Sequence, residues 1–322
     1  MLIRACSFAL LVVTSLVCCD VAPAERPPAP ELLPKDTLAY LRIRDTQKLV
    51  TSFNETALGK ISQEEKIRPL IADLYGSAAE AFTQVEDEVG VALDRVLSLP
   101  PGEIVIALVA PRVAPPVLVA LIEVGDQLPA AETLLEAGEK ALANDGAVRT
   151  TETHDDTELI IHTPTGDRDP LVHFIKDETI VITTNLEVSK VLLDVWNGNA
   201  PEAEEVASDD EVSPVGYEPL VKNEQYVAIM RRCRGTKEDP AQLTFFVDPI
   251  GIYRVSSRGN PGAQVALALL PALGLDGFEA LGGSVTFAAD DFDMITHLHV
   301  KISEPRTGIM EMLAMKADDT TP

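Results

Sequence analysis

Positive charge and aromatic side chains are scarce in this chain of 322 residues. Lysine and arginine number 26 against 51 aspartate and glutamate residues, which leaves a formal net charge of -25 at pH 7. A field of this sign repels nucleic acid and anionic lipid, so neither is predicted as a partner. Aromatic residues form only 5% of the sequence, but hydrophobic residues form 46%, which is enough for a sizeable core. The length indicates about two domains of roughly 150 residues each.

The motifs that carry well-known chemistry are also absent. The sequence contains no G-x-S-x-G, no H-E-x-x-H, no G-x-x-x-x-G-K-[ST] and no G-x-G-x-x-G after a predicted strand. Acidic residues are so numerous that pairs of carboxylates single out no site. The sequence therefore gives no support to the enzyme classes that use these motifs, and no cofactor is predicted.

The first residues have the pattern of an export signal. Arg4 supplies a positive charge, residues 8–17 form an apolar core, and residues 22–24 form a small-x-small cleavage pattern. Residues 1–24 are therefore predicted to be a signal peptide. The mature chain is expected to start at Glu25 and to reside in the periplasm or cell envelope.

Cysteine is almost absent from this predicted mature chain. A lipoprotein signal is the alternative to simple cleavage, with Cys19 acylated, although Cys18 stands where such signals normally have Gly, Ala or Ser. In either case only Cys233 remains in the folded part. A lone thiol cannot form an internal disulfide. Such a cysteine usually packs as a small hydrophobic residue, so Cys233 is predicted to be buried. Residues 25–36 are predicted to form a Pro-rich leader, whose run at 25–30 suits either a tether leading away from a membrane or a plain exposed segment.

Apolar runs of membrane-spanning length are missing from the predicted mature chain. Residues 103–110 and 117–124 are almost continuously apolar, but each run falls short of the roughly 20 residues of a span, and prolines in 111–116 separate them. The two runs predict an antiparallel hairpin. Because they do not alternate with polar residues, both faces must be covered. This hairpin is predicted to be central in its sheet, and no transmembrane helix is predicted.

One local pattern occurs twice. Residues 37–43 predict a strand, and Asp45 stands where the N-cap of the following helix belongs. Residues 242–247 followed by Asp248 and Pro249 repeat this order. The central hairpin at 103–124 likewise has a counterpart at 284–302. We therefore predict an α+β fold of two related units, mainly antiparallel sheet with helices packed on it.

The predicted units differ in their second halves. The first unit, residues 37–200, continues after a helix at 128–143 into a meander, which should lie toward a sheet edge with one wet face, and then into a helix at 186–196. The predicted meander strands are 157–162, 171–176 and 179–184. The second unit, residues 217–317, follows an acidic linker at 201–216, precedes a polar tail at 318–322, and has no counterpart of the meander.

The second unit is therefore predicted to be incomplete, with an exposed sheet edge beside residues 284–302. We expect residues 201–220 to cover this edge, or a partner or second copy to pair with it.

Four segments resemble a known group of proteins: LPKDTLAYLRI, RPLIADLYGSAAEAF, LSLPPGEIVIALV and MRRCRGTKEDPAQLTFFVDPIG. They are similar to exported planctomycete-type bacterial proteins related to domain of unknown function 3352. The resemblance covers most of residues 31–315 and implies a bacterial exported or cell-envelope protein. It carries no activity and no catalytic residue.

Histidines provide one candidate metal site. His297 and His299 are two apart on a predicted strand, so both imidazoles would point to one face, and Asp293 or Asp291 could add an oxygen ligand. In the alternative interpretation, Met294, Thr296, Leu298, Val300 and Ile302 face the core and the two histidines are simply exposed. A pair of histidines alone gives fewer ligands than the three or four of a zinc site.

Basic residues provide a second candidate site, because four cations fall within seven residues of an otherwise acidic chain: Arg231, Arg232, Arg234 and Lys237. They would suit the negative C-terminus of a helix predicted at 218–230. They would equally suit an anion or a partner carboxylate, since arginine makes bidentate contacts.

Taken together, these patterns predict an exported cell-envelope protein that is a non-catalytic binding or scaffolding module with an unidentified protein or envelope partner. The alternative is a metal-dependent hydrolase that uses the strand carrying His297 and His299.

Overall fold

The computed structural model describes residues 26–62, 102–111, 115–166, 168–201, 217–233, 235, 240–258, 260–275, 277–289, 291–304 and 311. The strands within these ranges are β1 (Thr37–Ile43), β2 (Ile104–Val109), β3 (Val117–Glu123), β4 (Val148–His154), β5 (Thr157–Thr163), β6 (Leu171–Lys176), β7 (Thr179–Thr183), β8 (Leu243–Val247), β9 (Phe278–Ala289) and β10 (Phe292–Ile302). The helices are α1 (Ala29–Leu32), α2 (Thr46–Glu55), α3 (Ala57–Ser62), α4 (Leu128–Asn144), α5 (Leu186–Trp196), α6 (Glu224–Met230), α7 (Pro249–Ser256) and α8 (Pro261–Leu273).

The ten described strands form one antiparallel sheet. Their order is β10-β9-β8-β1-β2-β3-β7-β6-β5-β4. This confirms the predicted α+β class. Among the described residues, no helix combines the length and apolar character needed to cross a membrane.

The hairpin β2–β3 lies in the middle of this order, which confirms its predicted position. Its side chains alternate between two cores, one on each face of the sheet. Val105 and Leu121 belong to the larger core, whereas Ile104 and Ile122 belong to the smaller core on the opposite face. Continuous apolar sequence is therefore required here, because neither face meets water.

Helices cover both faces of the sheet. Buried residues of α1, α5 and α6 pack into the larger core. Helix α4 packs into the smaller core through Ala131 and Leu135, and α7 packs against Leu38 through Val255. The protein therefore has a helix, sheet, helix layering, in which α4 lies over the strands of the meander.

The repeated strand-then-Asp pattern has the predicted local structure in both places. The Asp45 carboxylate accepts a hydrogen bond from the Lys48 backbone N–H at 2.8 Å, and α2 begins at Thr46, directly after Asp45. The Asp248 carboxylate accepts one from the Gly251 N–H at 2.7 Å, directly before α7. Each cap satisfies a backbone donor that the first turn of a helix leaves without a partner.

The two predicted units share one sheet. Strand β1 pairs with β8, with Tyr40 opposite Phe246 and Leu41 opposite Phe245. On either side of this junction the order repeats, since β1 leads to β2 and β3 just as β8 leads to β9 and β10. The matching order agrees with a duplicated unit, and the duplication itself stays a prediction.

Four features differ from the sequence prediction. The meander has a fourth strand, β4, whose residues are almost all exposed, and β7 is buried throughout although the meander was predicted to have one wet face. Helix α8 was not predicted, and none of its residues is buried. The predicted leader is not exposed throughout, because Ala29, Leu32 and Leu33 are fully buried in the larger core.

Several predictions fall on residues outside the described ranges. They are the signal peptide with Cys19 and most of the acidic linker. The others are a helix that apolar spacing predicts at 67–89, a short helical turn predicted at 91–97, and nearly all of a helix predicted at 307–315 as the counterpart of the one at 128–143.

Candidate functional site

Strand β10 forms one edge of the sheet. Within the described residues it pairs only with β9, so alternate backbone N–H and C=O groups along its other side have no strand partner there. Unpaired groups of this kind are a template for pairing with another strand. Among the described strands this hairpin lies at the end of the sheet, as predicted, and what covers its outer side or pairs with it stays a prediction.

One face of β10 carries exposed apolar side chains. The exposed fractions are 63% for Phe292, 53% for Met294, 62% for Leu298 and 43% for Val300. The interpretation that Met294, Leu298 and Val300 face the core is therefore wrong. Helix α6 packs on the other face instead, where Ile229 lies so close to Gly282 that a Cβ on that glycine would be 2.4 Å from the Ile229 Cγ2 atom.

The opposite edge of the sheet has a different character. Strand β4 has the sequence VRTTETH, in which Val148 is the only apolar residue, and it carries charges at Arg149 and Glu152. Polar and charged edge strands discourage pairing with other chains. Of the two edges among the described strands, β10 is thus the one whose side chains favour association.

His297 and His299 lie side by side on β10. Their rings are stacked, with centroids 6.3 Å apart and planes 8° apart. Asp293 is four residues away along the strand, which is about 13 Å, and its carboxylate accepts a hydrogen bond from the Ala57 N–H at 2.9 Å. The structure therefore does not bring Asp293 to the two imidazoles, and a metal site here stays a prediction that lacks a third ligand among the described residues.

The basic cluster lies at the end of α6. This helix is shorter than predicted, and Arg231 is its C-cap residue. Arg231 and Arg232 are both exposed, while Arg234 and Lys237 lie outside the described residues, so an anion or partner site here stays a prediction. Cys233 is fully buried, as predicted, and burial raises the pKa of its thiol.

Two groups among the described residues bring three potential metal ligands within 4.8 Å of one another, and neither contains His297 or His299. One is His154, Asp155 and Asp194. In this group His154 Nε2 lies 2.6 Å from Asp194 Oδ1. Asp155 and Asp156 form the turn between β4 and β5, in the left-handed region at φ 45° and 60°.

The other group has two buried histidines and a half-buried glutamate, and the sequence did not reveal it. It consists of Glu139 on α4, His162 on β5 and His173 on β6. Burial lowers the pKa of both histidines, that of His173 to about 4. The imidazoles are thus neutral at pH 7, and each has one ring nitrogen with a free lone pair.

This burial predicts a pH dependence of stability for the metal-free protein. Because the folded-state pKa of His173 lies below its ordinary value of 6.5, the unfolded chain takes up the proton first. Stability should therefore fall as pH decreases from about 6.5 to about 4, with a slope of at most about 1.4 kcal/mol per pH unit from this residue.

The groups that face His173 are Glu139 from α4, His162 from β5 and Arg149 from β4. Urea unfolding of chelator-treated wild type and His173→Gln across this range isolates the contribution of the histidine. Equal slopes for the two proteins would contradict it.

No family model, curated protein or solved structure matches this chain. Its function must therefore be argued from the site geometry described above.

Proposed function

We propose that the protein is a non-catalytic scaffolding module of the bacterial cell envelope, and that two copies associate by pairing their β10 strands. The observation that carries this proposal is an edge strand of 11 residues with four exposed apolar side chains. Strand addition supplies backbone hydrogen bonds along the whole edge, and the side chains then determine the partner and the register. The sequence patterns of an export signal support the envelope location.

The sequence of β10 is suited to pairing with itself. In an antiparallel pair centred on His297, Asp293 of one copy lies opposite Lys301 of the other, on the same face of the joined sheet. Met294 then lies opposite Val300 on the apolar face. The Asp293–Lys301 contact and the Met294–Val300 contact each form twice, because the arrangement has twofold symmetry. This register buries apolar side chains and leaves no like charges directly opposed.

The net charge of the chain sets a condition on this association. Two copies each carrying a charge of -25 repel one another at long range, and salt screens that repulsion with a Debye length of about 8 Å at 0.15 M. Self-association should therefore strengthen as ionic strength rises. Association driven only by attraction between opposite charges would instead weaken as ionic strength rises.

We expect sedimentation equilibrium of the mature protein to show a dimer that becomes more populated between low and moderate salt. Leu298→Lys places a charge on the apolar face and should weaken the dimer by about tenfold or more, which corresponds to about 1.4 kcal/mol. Thr151→Lys on β4 is the matched control, because it adds the same charge to the other edge, and it should leave the dimer unchanged.

The register has its own test. Asp293→Lys places two lysines opposite each other, so it should weaken the dimer more at low salt than at high salt. A mature protein that stays monomeric to about 1 mM under all salt conditions would overturn the proposal. Equal weakening by Leu298→Lys and Thr151→Lys would also overturn it, because association would then not depend on β10.

A further inference from the structure

Three elements bring potential metal ligands together on the face of the sheet covered by α4. His162 and His173 lie on the neighbouring antiparallel strands β5 and β6, where His162 is opposite Leu171 and His173 is opposite Ile160. Side chains two residues apart share a face, so both imidazoles point toward α4. Glu139 projects from that helix into the same space.

The distances within this cluster are short. Glu139 Oε1 lies 3.2 Å from His173 Nε2. The two imidazole rings are stacked with centroids 5.8 Å apart and planes 5° apart, and one ligand atom from each of the three residues lies within 4.8 Å of the others. Only small side-chain adjustments are needed for these atoms to share one ion.

His162 is the independent observation that points to a ligand. Its side chain is 1% exposed, yet neither Nδ1 nor Nε2 has a hydrogen-bond partner among the described residues. A buried polar group without a partner is rare in native proteins, because it loses its hydrogen bonds to water on folding. An additional group that binds an imidazole nitrogen would remove this cost.

A cavity of about 30 Å³ adjoins the two histidines. Apart from Glu139 and the histidines, its walls are apolar, and they include Leu135, Leu142 and Ile182. The space can hold a small ion with one water. The two imidazoles are buried, so attraction between an ion and these ligands is less screened than it would be at the surface.

We propose that Glu139, His162 and His173 form a binding site for a divalent transition-metal ion of the zinc class. Two imidazole nitrogens and one carboxylate oxygen match the ligand preference of Zn²⁺, whereas Mg²⁺ and Ca²⁺ require mostly oxygen ligands. Three protein ligands leave one tetrahedral position for the water that the cavity can hold.

Arg149 holds the Glu139 carboxylate in position. Its Nε donates to Glu139 Oε2 at 3.2 Å, which leaves Oε1 directed at His173. A ligand carboxylate that is hydrogen-bonded through its other oxygen is oriented and stabilised in this way in many metal sites. The bound ion would connect α4 to strands β5 and β6, at the opposite end of the sheet order from β10, so this site and the proposed pairing edge are independent.

The experiment uses the mature protein after chelator dialysis, with Zn²⁺ as the probe. We expect one equivalent of Zn²⁺ to bind, and the melting temperature to rise by roughly 5–10 °C when free Zn²⁺ is about 100 times Kd. Mg²⁺ should produce no shift. Co²⁺ in place of Zn²⁺ should give the visible absorption of a four-coordinate site, which reports coordination in the unmodified protein.

The chain offers a matched pair of variants. His162→Gln with His173→Gln removes the buried pair and should abolish the stoichiometric binding, whereas His297→Gln with His299→Gln removes an equally stacked pair on β10 and should leave it intact. If the buried double variant fails to fold, Glu139→Gln serves instead, because this side chain is partly exposed. It should weaken Zn²⁺ binding at least about tenfold.

Absence of stoichiometric Zn²⁺ binding by the wild type would overturn the site. Loss of binding in the β10 variant and retention in the Glu139→Gln variant would also overturn it, and would assign the metal to the sequence-predicted pair. Neither result depends on whether β10 strands associate.

Discussion

Replacing Phe246 with alanine is expected to lower the free energy of unfolding by about 4 kcal/mol. Phe246 is fully buried on β8, and its ring meets that of Tyr226 edge to face at a centroid distance of 5.6 Å. Tyr226 in turn packs against Tyr40 of β1 at 5.5 Å. The substitution therefore leaves a large cavity where strands from the two predicted units join.

Phe292→Ala is the matched control for this substitution. It removes a phenylalanine ring too, but Phe292 is 63% exposed on β10. We expect it to change the stability by no more than about 0.5 kcal/mol in the monomer. Denaturant unfolding of Phe246→Ala, followed by fluorescence and by circular dichroism, should give one shifted transition. Two separate transitions would show that the two units unfold independently and that the β1–β8 junction contributes little to the fold.

Replacing Glu103 with alanine is expected to cost about 3 kcal/mol of unfolding free energy. The carboxylate is only 7% exposed and pairs with two guanidinium groups, those of Arg26 and Arg42. Removing it leaves two cations close together at the start of β2, where the nearest remaining carboxylate is that of Glu123, 3.9 Å from Arg26. Arg42 is about one-third exposed and can regain some hydration, so the cost lies at the lower end for a broken buried pair.

Glu187→Ala tests whether this cost comes from burial. Glu187 forms an ion pair with Lys190 at 3.1 Å, but its side chain is 77% exposed. Surface pairs of this type contribute little, so its removal should change stability by no more than about 0.5 kcal/mol. Equal effects of the two substitutions in urea unfolding at pH 7 would contradict the structural role assigned to Glu103.

The Glu103 cluster also shows why the predicted leader is partly folded. Composition indicated an exposed Pro-rich segment, because prolines dominate residues 25–30. In the structure Arg26 reaches a carboxylate 77 residues away, and Leu32 and Leu33 are fully buried. Proline content describes local backbone preference, whereas these contacts depend on partners distant in sequence.

Elements with strong local signals could be predicted from the sequence. The helix after Asp45 and the helix after Asp248 begin at their caps, and the continuous apolar runs of β2 and β3 identified the centre of the sheet. Strand β4 had no such signal. Its side chains are almost all exposed, so its sequence does not alternate between apolar and polar residues. Helix α8 is apolar on all sides, so it lacks the stripe that distinguishes an amphipathic helix.

The two candidate sites also differ in how far they could be predicted from the sequence. The edge position of β10 was predictable because the sequence analysis predicted no counterpart of the meander in the second unit. The buried ligand cluster was not, because Glu139, His162 and His173 are separated by long stretches of chain, and only the packing of α4 on the β5–β6 pair brings them together. Spacing rules instead favoured His297 and His299, whose closeness in sequence supplies two ligands and no third.

Hydrogen exchange along β10, measured at several protein concentrations, tests the proposed pairing most directly. In the dilute monomer, every second amide between Asp293 and Ile302 should exchange quickly, because only alternate N–H groups bond to β9. Raising the concentration and the salt should protect the remaining amides, while those of β4 stay unchanged. Protection of all these amides in a dilute monomer, with no change on concentration, would contradict the account, because the edge would then be covered by the chain itself.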